Sequence, residues 1–166
     1  MSDPTPDDAA PDPTSPDPTD TDPTDTDPTG SLIDQDATAY LRTVMPFMER
    51  LGAETILATP QEVRLRLRWA EERCTAGGIL HGGALMTLAD GAAAWCARLN
   101  VPAGDRTTTI ESKTNFLRAV RRGFVEAVAR PLHVGRTTIV VDTLLYDANH
   151  RLVARTSQTQ AVLPAR

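Results

Sequence analysis

Several residue types that mark common functional sites are scarce in this sequence. Its 166 residues include two cysteines and three histidines, without Cys-x-x-Cys or His-x-x-x-His spacing, so no metal site is predicted. Aromatic residues amount to 4% and no dense basic patch accompanies them, which argues against nucleic-acid binding. Neither a Gly-x-Gly-x-x-Gly nor a Gly-Lys-Ser/Thr phosphate loop occurs. Because no run approaches the roughly 18 apolar residues of a membrane helix, we expect no membrane partner, and no cofactor is predicted either.

The first 30 residues contain neither lysine nor arginine, and Met1 is their only large apolar side chain. Asp, Pro and Thr dominate them, so they cannot bury enough surface to offset the entropy of ordering, and we predict that residues 1–30 are disordered. A secretion signal is not expected, because the basic start and the apolar core are missing. We assign residues 31–166 to one folded domain of a soluble, cytoplasmic protein in which Cys74 and Cys96 stay reduced.

Charge is distributed unevenly between these two parts. Nine of the 22 acidic residues lie in the tail, which leaves 13 acidic against 17 basic residues in the folded part, although the whole chain is at −5. A mildly basic domain suits an anionic small molecule, but so small a surplus is also typical of an ordinary solvated surface.

The spacing of apolar residues predicts an α+β fold. Between residues 34 and 51 they recur every three or four positions, which indicates a helix that Pro46 divides and Gly52 ends. Two strands follow. In the second, residues 62–69, apolar and charged residues alternate, so one face should be buried and the other, which includes Arg66, should be wet.

The run from Gly82 to Leu99 is dense in Ala, Leu and Met, which predicts a buried central helix. Four strand-like segments then follow, joined by turns short enough to favour antiparallel pairing. These segments are residues 107–117, 124–134, 137–146 and 152–162. We therefore predict an antiparallel β-sheet wrapped around one long central helix.

A Gly-x-x-His-Gly-Gly turn, Gly78 to Gly83, leads directly into this helix. Glycines at a helix start leave backbone N–H groups unpaired and unshielded, and the helix dipole adds positive potential there. Gly82 and Gly83 could therefore hold an anion or a carbonyl oxygen that becomes an oxyanion. Equally, a Gly-Gly pair can serve only to permit tight packing.

Asp90 is the only charged residue between Gly82 and Ala97. A carboxylate in such a helix can act as a general base or a nucleophile, or it can be tied to a loop by hydrogen bonds. The eight residues between Gly82 and Asp90 correspond to about 12 Å of helix, too far for both to act on one carbonyl carbon. If both are catalytic, Asp90 must meet Gly82 of another subunit across a dimer whose central helices run antiparallel.

Three arginines, Arg118, Arg121 and Arg122, surround the turn after the predicted third strand. Guanidinium groups suit phosphate binding. A solvated basic turn explains them equally well.

The pattern Gly78-x-x-His81-Gly82-Gly83-x-x-x-x-Leu88-Ala89-Asp90 resembles the signature of hotdog-fold acyl-CoA thioesterases, of the type associated with phenylacetate degradation. The resemblance extends to Pro46-Phe47-x-x-x-Leu51-Gly52 and to Asn115-Phe116-Leu117-Arg118, and so covers most of residues 35–162.

The resemblance implies roles for individual residues. The N–H of Gly82 would bind the thioester oxygen, and Asp90 of the facing subunit would activate water or attack directly. His81 would orient the turn, and Thr109 would help to hold the water. Thr75 stands where many relatives carry an Asn, and a hydroxyl cannot match the reach and the two donors of an amide, so activity or substrate could differ.

The first prediction is therefore an acyl-CoA thioesterase that releases a small aryl or medium-chain acid and free coenzyme A without a metal. The alternatives are a hotdog protein that binds acyl-CoA without turnover, as a sensor or carrier-associated subunit, and a hotdog dehydratase that would use a catalytic His. The resemblance suggests a homotetramer built as a dimer of dimers. The sequence specifies neither the acyl group nor the pathway.

Overall fold

The computed structural model describes residues 32–165, and the tail predicted to be disordered, residues 1–30, lies outside them. Within these described residues, three α-helices, eight strands and two short 3-10 turns follow one another. They are α1 Gln35–Val44, α2 Pro46–Leu51, β1 Glu54–Ala58, β2 Val63–Arg68, a 3-10 turn Glu71–Arg73, β3 Cys74–Thr75, a 3-10 turn Ala76–Gly78, β4 Ile79–Leu80, α3 Gly82–Leu99, β5 Arg106–Phe116, β6 Phe124–Val134, β7 Thr138–Asp147 and β8 Leu152–Leu163.

Six strands form one antiparallel sheet in the order β1-β2-β6-β7-β8-β5, and β3 and β4 form a separate small hairpin. The sheet wraps around α3, which contacts β2, β5, β6, β7 and β8. Alternation with period two turns one face of β7 inward, including the fully buried Ile139, Val141 and Leu145. The predicted sheet around one long helix is confirmed.

The N-terminal helical segment divides where the sequence predicts. The Asp34 carboxylate caps α1 by accepting a hydrogen bond from the Ala37 N–H at 2.8 Å. Pro46 cannot donate an N–H into a continuing helix, and it occupies the first turn of α2 instead. Gly52 ends α2 in the left-handed region with φ 79°, where a side chain would be strained.

Small side chains line much of α3 and let it lie close to its neighbours. Ala89, Ala92, Ala93 and Ala97 are fully buried. Cys96 is also fully buried, and burial, followed by the Glu62 carboxylate, raises the pKa of its thiol to about 11. Burial and two nearby glutamates likewise raise the pKa of the half-buried Cys74. Both cysteines are free thiols.

The outer face of β2 is less wet than the alternation predicts. Arg66 is only 1% exposed, because its guanidinium lies 4.1 Å from the centroid of the Phe124 ring and donates to Glu126 Oε1 from both Nε and Nη2, at 3.1 and 2.6 Å. The cross-strand neighbour Glu126 pairs with Arg66 in the register of β2 and β6. Burial of this cation depends on residues 60 positions away, which period-two alternation cannot reveal.

Among residues 32–165, no helix combines the length and the apolar character that crossing a membrane requires.

The Arg66–Glu126 pair provides a test of this packing. Glu126→Ala should lower the free energy of unfolding by about 3 kcal/mol, since it removes a carboxylate from a buried guanidinium. Replacing both residues, as Arg66→Met with Glu126→Leu, should recover most of that loss. Urea unfolding measures both, and Asp142→Ala, which removes the carboxylate facing the exposed Arg155, is the control, with an expected loss of under about 1 kcal/mol. A loss for Glu126→Ala no larger than that of the control would contradict this account.

Candidate active site at the start of the central helix

The turn that precedes α3 is fixed from three sides. The indole Nε1 of Trp69 donates to the Gly78 carbonyl at 3.0 Å. The Leu80 N–H donates to the Val120 carbonyl at 2.8 Å, and the His81 N–H donates to the Arg73 carbonyl at 2.9 Å. Gly78 itself has φ 67°, a conformation that glycine adopts without strain. The start of α3 is therefore held by the loop before it and by the connection between β5 and β6.

His81 caps α3 with its side chain. Its Nδ1 accepts a hydrogen bond from the Gly83 N–H at 2.8 Å, which satisfies one of the free donors at the helix start. His81 thus caps the helix start, and its role in orienting the turn for catalysis stays a prediction. The same bond engages the Gly83 N–H, and substrate binding by Gly83 stays a prediction.

Gly82 occupies the first position of α3, and its N–H makes no hydrogen bond within the described residues 32–165. The ring of Phe116, at the end of β5, lies over this glycine: a Cβ added to Gly82 would be 3.1 Å from Phe116 Cζ. The absence of a side chain at position 82 therefore leaves both an open backbone donor and room for the ring. Of the two glycines, only Gly82 offers a free N–H.

Asp90 lies two turns further along α3 and is half-buried. The hydroxyl of Thr109, on β5, donates to Asp90 Oδ1 across a long contact of 3.4 Å. Thr109 in turn accepts hydrogen bonds from the amide Nε2 of Gln160 at 2.8 Å and of Gln158 at 3.3 Å. Asp90 therefore does not lie in the apolar surroundings that its own helix suggests; it faces a polar stretch of the sheet.

The polar stretch belongs to the inner face of β8 and β5, and sequence analysis did not identify it. Thr156, Gln158 and Gln160 are all 1% exposed or less and alternate along β8 as inward-facing residues. Alternation with period two was the signal that could have identified it, because it places all three residues on one face of the predicted last strand. Fully buried glutamine is also infrequent in proteins, so an inward-facing pair is notable.

One chain does not bring Gly82 and Asp90 together. Gly82 contacts Phe116 and Asp90 contacts Thr109, and these two partners lie seven residues apart on β5. Within one chain, Gly82 and Asp90 are therefore far apart along β5 as well as along α3.

The three predicted phosphate-binding arginines lie in the connection between β5 and β6, whose Val120 carbonyl anchors the turn before α3. Arg118 and Arg122 are exposed and Arg121 is half-buried. Arg121 and Arg122 also line a small hollow with Asp147 and Arg151 of the connection between β7 and β8. Asp147 is already engaged, since its carboxylate accepts hydrogen bonds from the Arg151 side chain and from two backbone N–H groups.

Thr75 lies on β3, opposite Ile79 of β4, and its side chain is exposed. It therefore belongs to the small hairpin that leads into the turn before α3.

Comparison with known proteins assigns the family. The sequence profile of the thioesterase superfamily matches residues 77–154. A Bacillus subtilis protein named "Putative esterase ComA2" is 35% identical over 120 residues, which cover 70% of this chain and 93% of that protein. The chain belongs to the thioesterase superfamily.

Two further comparisons are consistent with this assignment. The Escherichia coli 1,4-dihydroxy-2-naphthoyl-CoA hydrolase is 29% identical over 116 residues, which cover 69% of this chain and 79% of that enzyme. The structure of the conserved protein PA5202 from Pseudomonas aeruginosa has a TM-score of 0.67 at 32% identity, with 70% of this chain and 93% of that chain covered. The predictions of a hotdog fold and of a thioester hydrolase are confirmed at the level of the family.

The cap formed by His81 can be tested separately from the chemistry. His81→Ala removes the acceptor of the Gly83 N–H and should lower the free energy of unfolding by about 1 kcal/mol. His81→Asn keeps a neutral cap acceptor and should recover most of that stability. Urea unfolding of both variants measures the difference, and equal stability of His81→Ala and the unmutated protein would show that the cap contributes nothing.

Proposed function

We propose that this member of the thioesterase superfamily hydrolyses acyl-CoA thioesters to a carboxylic acid and free coenzyme A. The observation that carries the proposal is the open N–H of Gly82 at the first position of an 18-residue helix. Asp90 supplies the carboxylate that the reaction needs. His81, through its bond to Gly83, keeps the turn in the conformation that exposes the Gly82 donor.

Gly82 acts on the thioester carbonyl. Attack at the carbonyl carbon converts its oxygen to an oxyanion, and an N–H already aimed at that position stabilises the charge without reorganisation. The dipole of α3 adds to the effect, since its positive end lies at Gly82. Loss of one such donor typically slows turnover by about 10² to 10³ fold.

Asp90 acts on the nucleophile in one of two ways. As a general base it takes a proton from water, whose oxygen then bonds to the carbonyl carbon. As a nucleophile its own oxygen forms that bond, and water later cleaves the resulting anhydride. In both cases the C–S bond breaks with release of the coenzyme A thiolate, which takes up a proton. Thr109, through its contact with Asp90, helps to place the carboxylate and the attacking water.

The active site forms between two copies of the chain. β5 is the last strand of the sheet, so one of its edges has no strand partner within residues 32–165. An 11-residue edge with free N–H and C=O groups is a template for pairing with another strand. Ile110 and Phe116 on this strand are 65% and 50% exposed, and a second copy would cover them.

One register of such a pair would bring the two halves of the site together. A two-fold axis through Lys113 would pair β5 antiparallel with β5 of the second copy. The β-bulge at Ile110 takes up one residue, so Thr109 of one copy would then lie opposite Phe116 of the other. Since Thr109 adjoins Asp90 and Phe116 adjoins Gly82, Asp90 of one copy would face Gly82 of the other. Two such dimers would form the tetramer that the family resemblance suggests.

The substrate carries an aromatic or medium-chain acyl group on coenzyme A. The hydrolase of 1,4-dihydroxy-2-naphthoyl-CoA among the relatives supports an aromatic acid, and Asp rather than Glu at position 90 favours the phenylacetate-degradation type. The exposed Met86 and Phe116 offer apolar surface near Gly82 for this group. Arg118, Arg121 and Arg122, at the same end of the sheet as the start of α3, offer guanidinium groups to the phosphates of coenzyme A.

Release of coenzyme A thiol from phenylacetyl-, hydroxybenzoyl-, short-chain and long-chain acyl-CoA tests this proposal. The unmutated protein should turn over the aryl thioesters fastest. Asp90→Asn, which keeps the size of the side chain but removes the base, should lower kcat by about 10³ fold or more while coenzyme A still binds.

A loss of under about tenfold in Asp90→Asn would argue against a direct chemical role of Asp90. Saturable binding of every acyl-CoA without turnover would instead favour the sensor or carrier-associated protein, and Thr75→Asn would then be the first variant to examine.

Position 82 allows the oxyanion donor to be deleted cleanly. Proline is favoured at the first position of a helix, and His81 before it has φ −63° and ψ 135°, which suit a residue that precedes proline. Gly82→Pro should lower kcat by about 10² fold or more. Gly82→Ala brings the same Cβ toward Phe116 but keeps the N–H, so it should lose under about tenfold; equal losses would assign the effect to the ring contact.

The same variant tests the shared site. Gly82→Pro and Asp90→Asn are each expected to be inactive, but in a mixed dimer one of the two sites has both residues intact. Co-expression in equal amounts should therefore restore about one quarter of the unmutated activity. A mixture that stays inactive, although mass spectrometry shows mixed dimers, would place Gly82 and Asp90 in the same subunit.

A further inference from the structure

We infer that Gln160, assisted by Gln158, is a positioning residue that acts on Asp90 through Thr109. The inference rests on the proposed function, because it gives a task to the carboxylate of Asp90. Both glutamines lie on β8 beyond residue 154, where the match to the thioesterase superfamily ends.

The hydrogen bonds at Thr109 determine where its proton points. A threonine hydroxyl has two acceptor lone pairs and one proton. The amide groups of Gln160 and Gln158 donate to Thr109 Oγ1 at 2.8 and 3.3 Å, which uses both lone pairs. The hydroxyl proton is then left for an acceptor on the remaining side, and Asp90 Oδ1 is that acceptor. Amide donors of this kind also polarise the hydroxyl and strengthen the bond it donates.

Because the side chains of Gln158 and Gln160 are buried, a purely structural role for them would cost folding free energy. Gln158 and Gln160 are 0% and 1% exposed, and a buried amide costs free energy unless both of its ends are satisfied. The Oε1 of Gln158 has no hydrogen-bond partner in the described residues. An apolar residue would fill the inner face of β8 without that penalty, so the amide donors serve Thr109 rather than the packing.

The backbone of β5 places Thr109 within hydrogen-bonding distance of the two glutamines. Ser112 and Thr114 pair with Gln158 and Thr156 and share the inner face of the sheet with them. If the side chains of β5 alternated regularly from Thr114 and Ser112, Ile110 would be the next residue on this inner face. The bulge between Thr109 and Glu111 instead places Thr109 opposite Gln160, within reach of Asp90. The hydrogen bonds thus connect the glutamines of β8, through Thr109 of β5, to Asp90 of α3.

The first test is Gln160→Met, which keeps the length of the side chain and removes its donor. We expect kcat on the best acyl-CoA substrate to fall by about 10 to 100 fold with KM unchanged, since a misplaced catalytic group costs rate rather than binding. The matched control is Thr156→Val on the same face of β8, which removes a partly buried hydrogen bond to Thr114 of β5 and should leave kcat intact. Thermal unfolding compares the stabilities of the two variants.

A double-mutant cycle shows whether Gln160 acts through Thr109. Thr109→Val should lower kcat by a similar factor, and Gln160→Met should cause no further loss in that background. Thr109→Ser keeps the hydroxyl and should keep both the activity and the sensitivity to Gln160→Met. Independent, multiplying losses in the double variant, or unchanged kcat in Gln160→Met, would overturn the inference. If Gln160→Met does not fold, Gln160→Asn, which withdraws the amide by one methylene, takes its place with the same expectations.

Different results would reject the proposed function and this inference. Activity that vanishes in Asp90→Asn but stays unchanged in Gln160→Met rejects the positioning role alone. Activity that persists in Asp90→Asn, or no turnover of any acyl-CoA by the unmutated protein, removes the proposed function and the inference with it.

Discussion

Close approach between α3 and the sheet is the constraint on which the rest of this fold depends. The helix can lie within the curved sheet because alanines and one glycine cover much of its buried surface. On another side of α3, a Cβ on Gly91 would be 2.5 Å from Met48 Cε, so the Met48 side chain of α2 packs on the helix backbone there. Larger residues would push the layers apart, because protein interiors leave no free volume to absorb them. The contact between Asp90 and Thr109 spans the gap between α3 and β5.

Most of the architecture could be predicted because it depends on local chemistry. Pro46 divides the first helix for want of an N–H, and Gly52 ends it by its left-handed conformation. The third predicted strand, residues 107–117, differs from β5 by one residue at each end, since threonines and alternation act within a few positions. The start of α3 after His81 followed likewise from the glycines that come next.

What the sequence did not reveal depends on neighbours that are distant along the chain. Burial of Arg66 requires Glu126 and Phe124 from another strand. The pairing of Gln160 with Thr109 depends on a bulge that only the register between β5 and β8 exposes. Asp90 was identified as a lone charge in an apolar helix, but its surroundings come from the sheet. Local sequence patterns thus identified Asp90, whereas its surroundings depend on strands that are distant along the chain.

The bond between His81 and Gly83 has a consequence for proton chemistry. A neutral imidazole carries one proton, and Nδ1 of His81 is occupied as an acceptor, so that proton resides on Nε2. The exposed edge of the ring therefore presents a donor and has no lone pair with which to abstract a proton from a substrate. A dehydratase that uses His81 as its base would have to break the helix cap at each turnover. Tautomer selection by a structural hydrogen bond thus disfavours proton abstraction by His81.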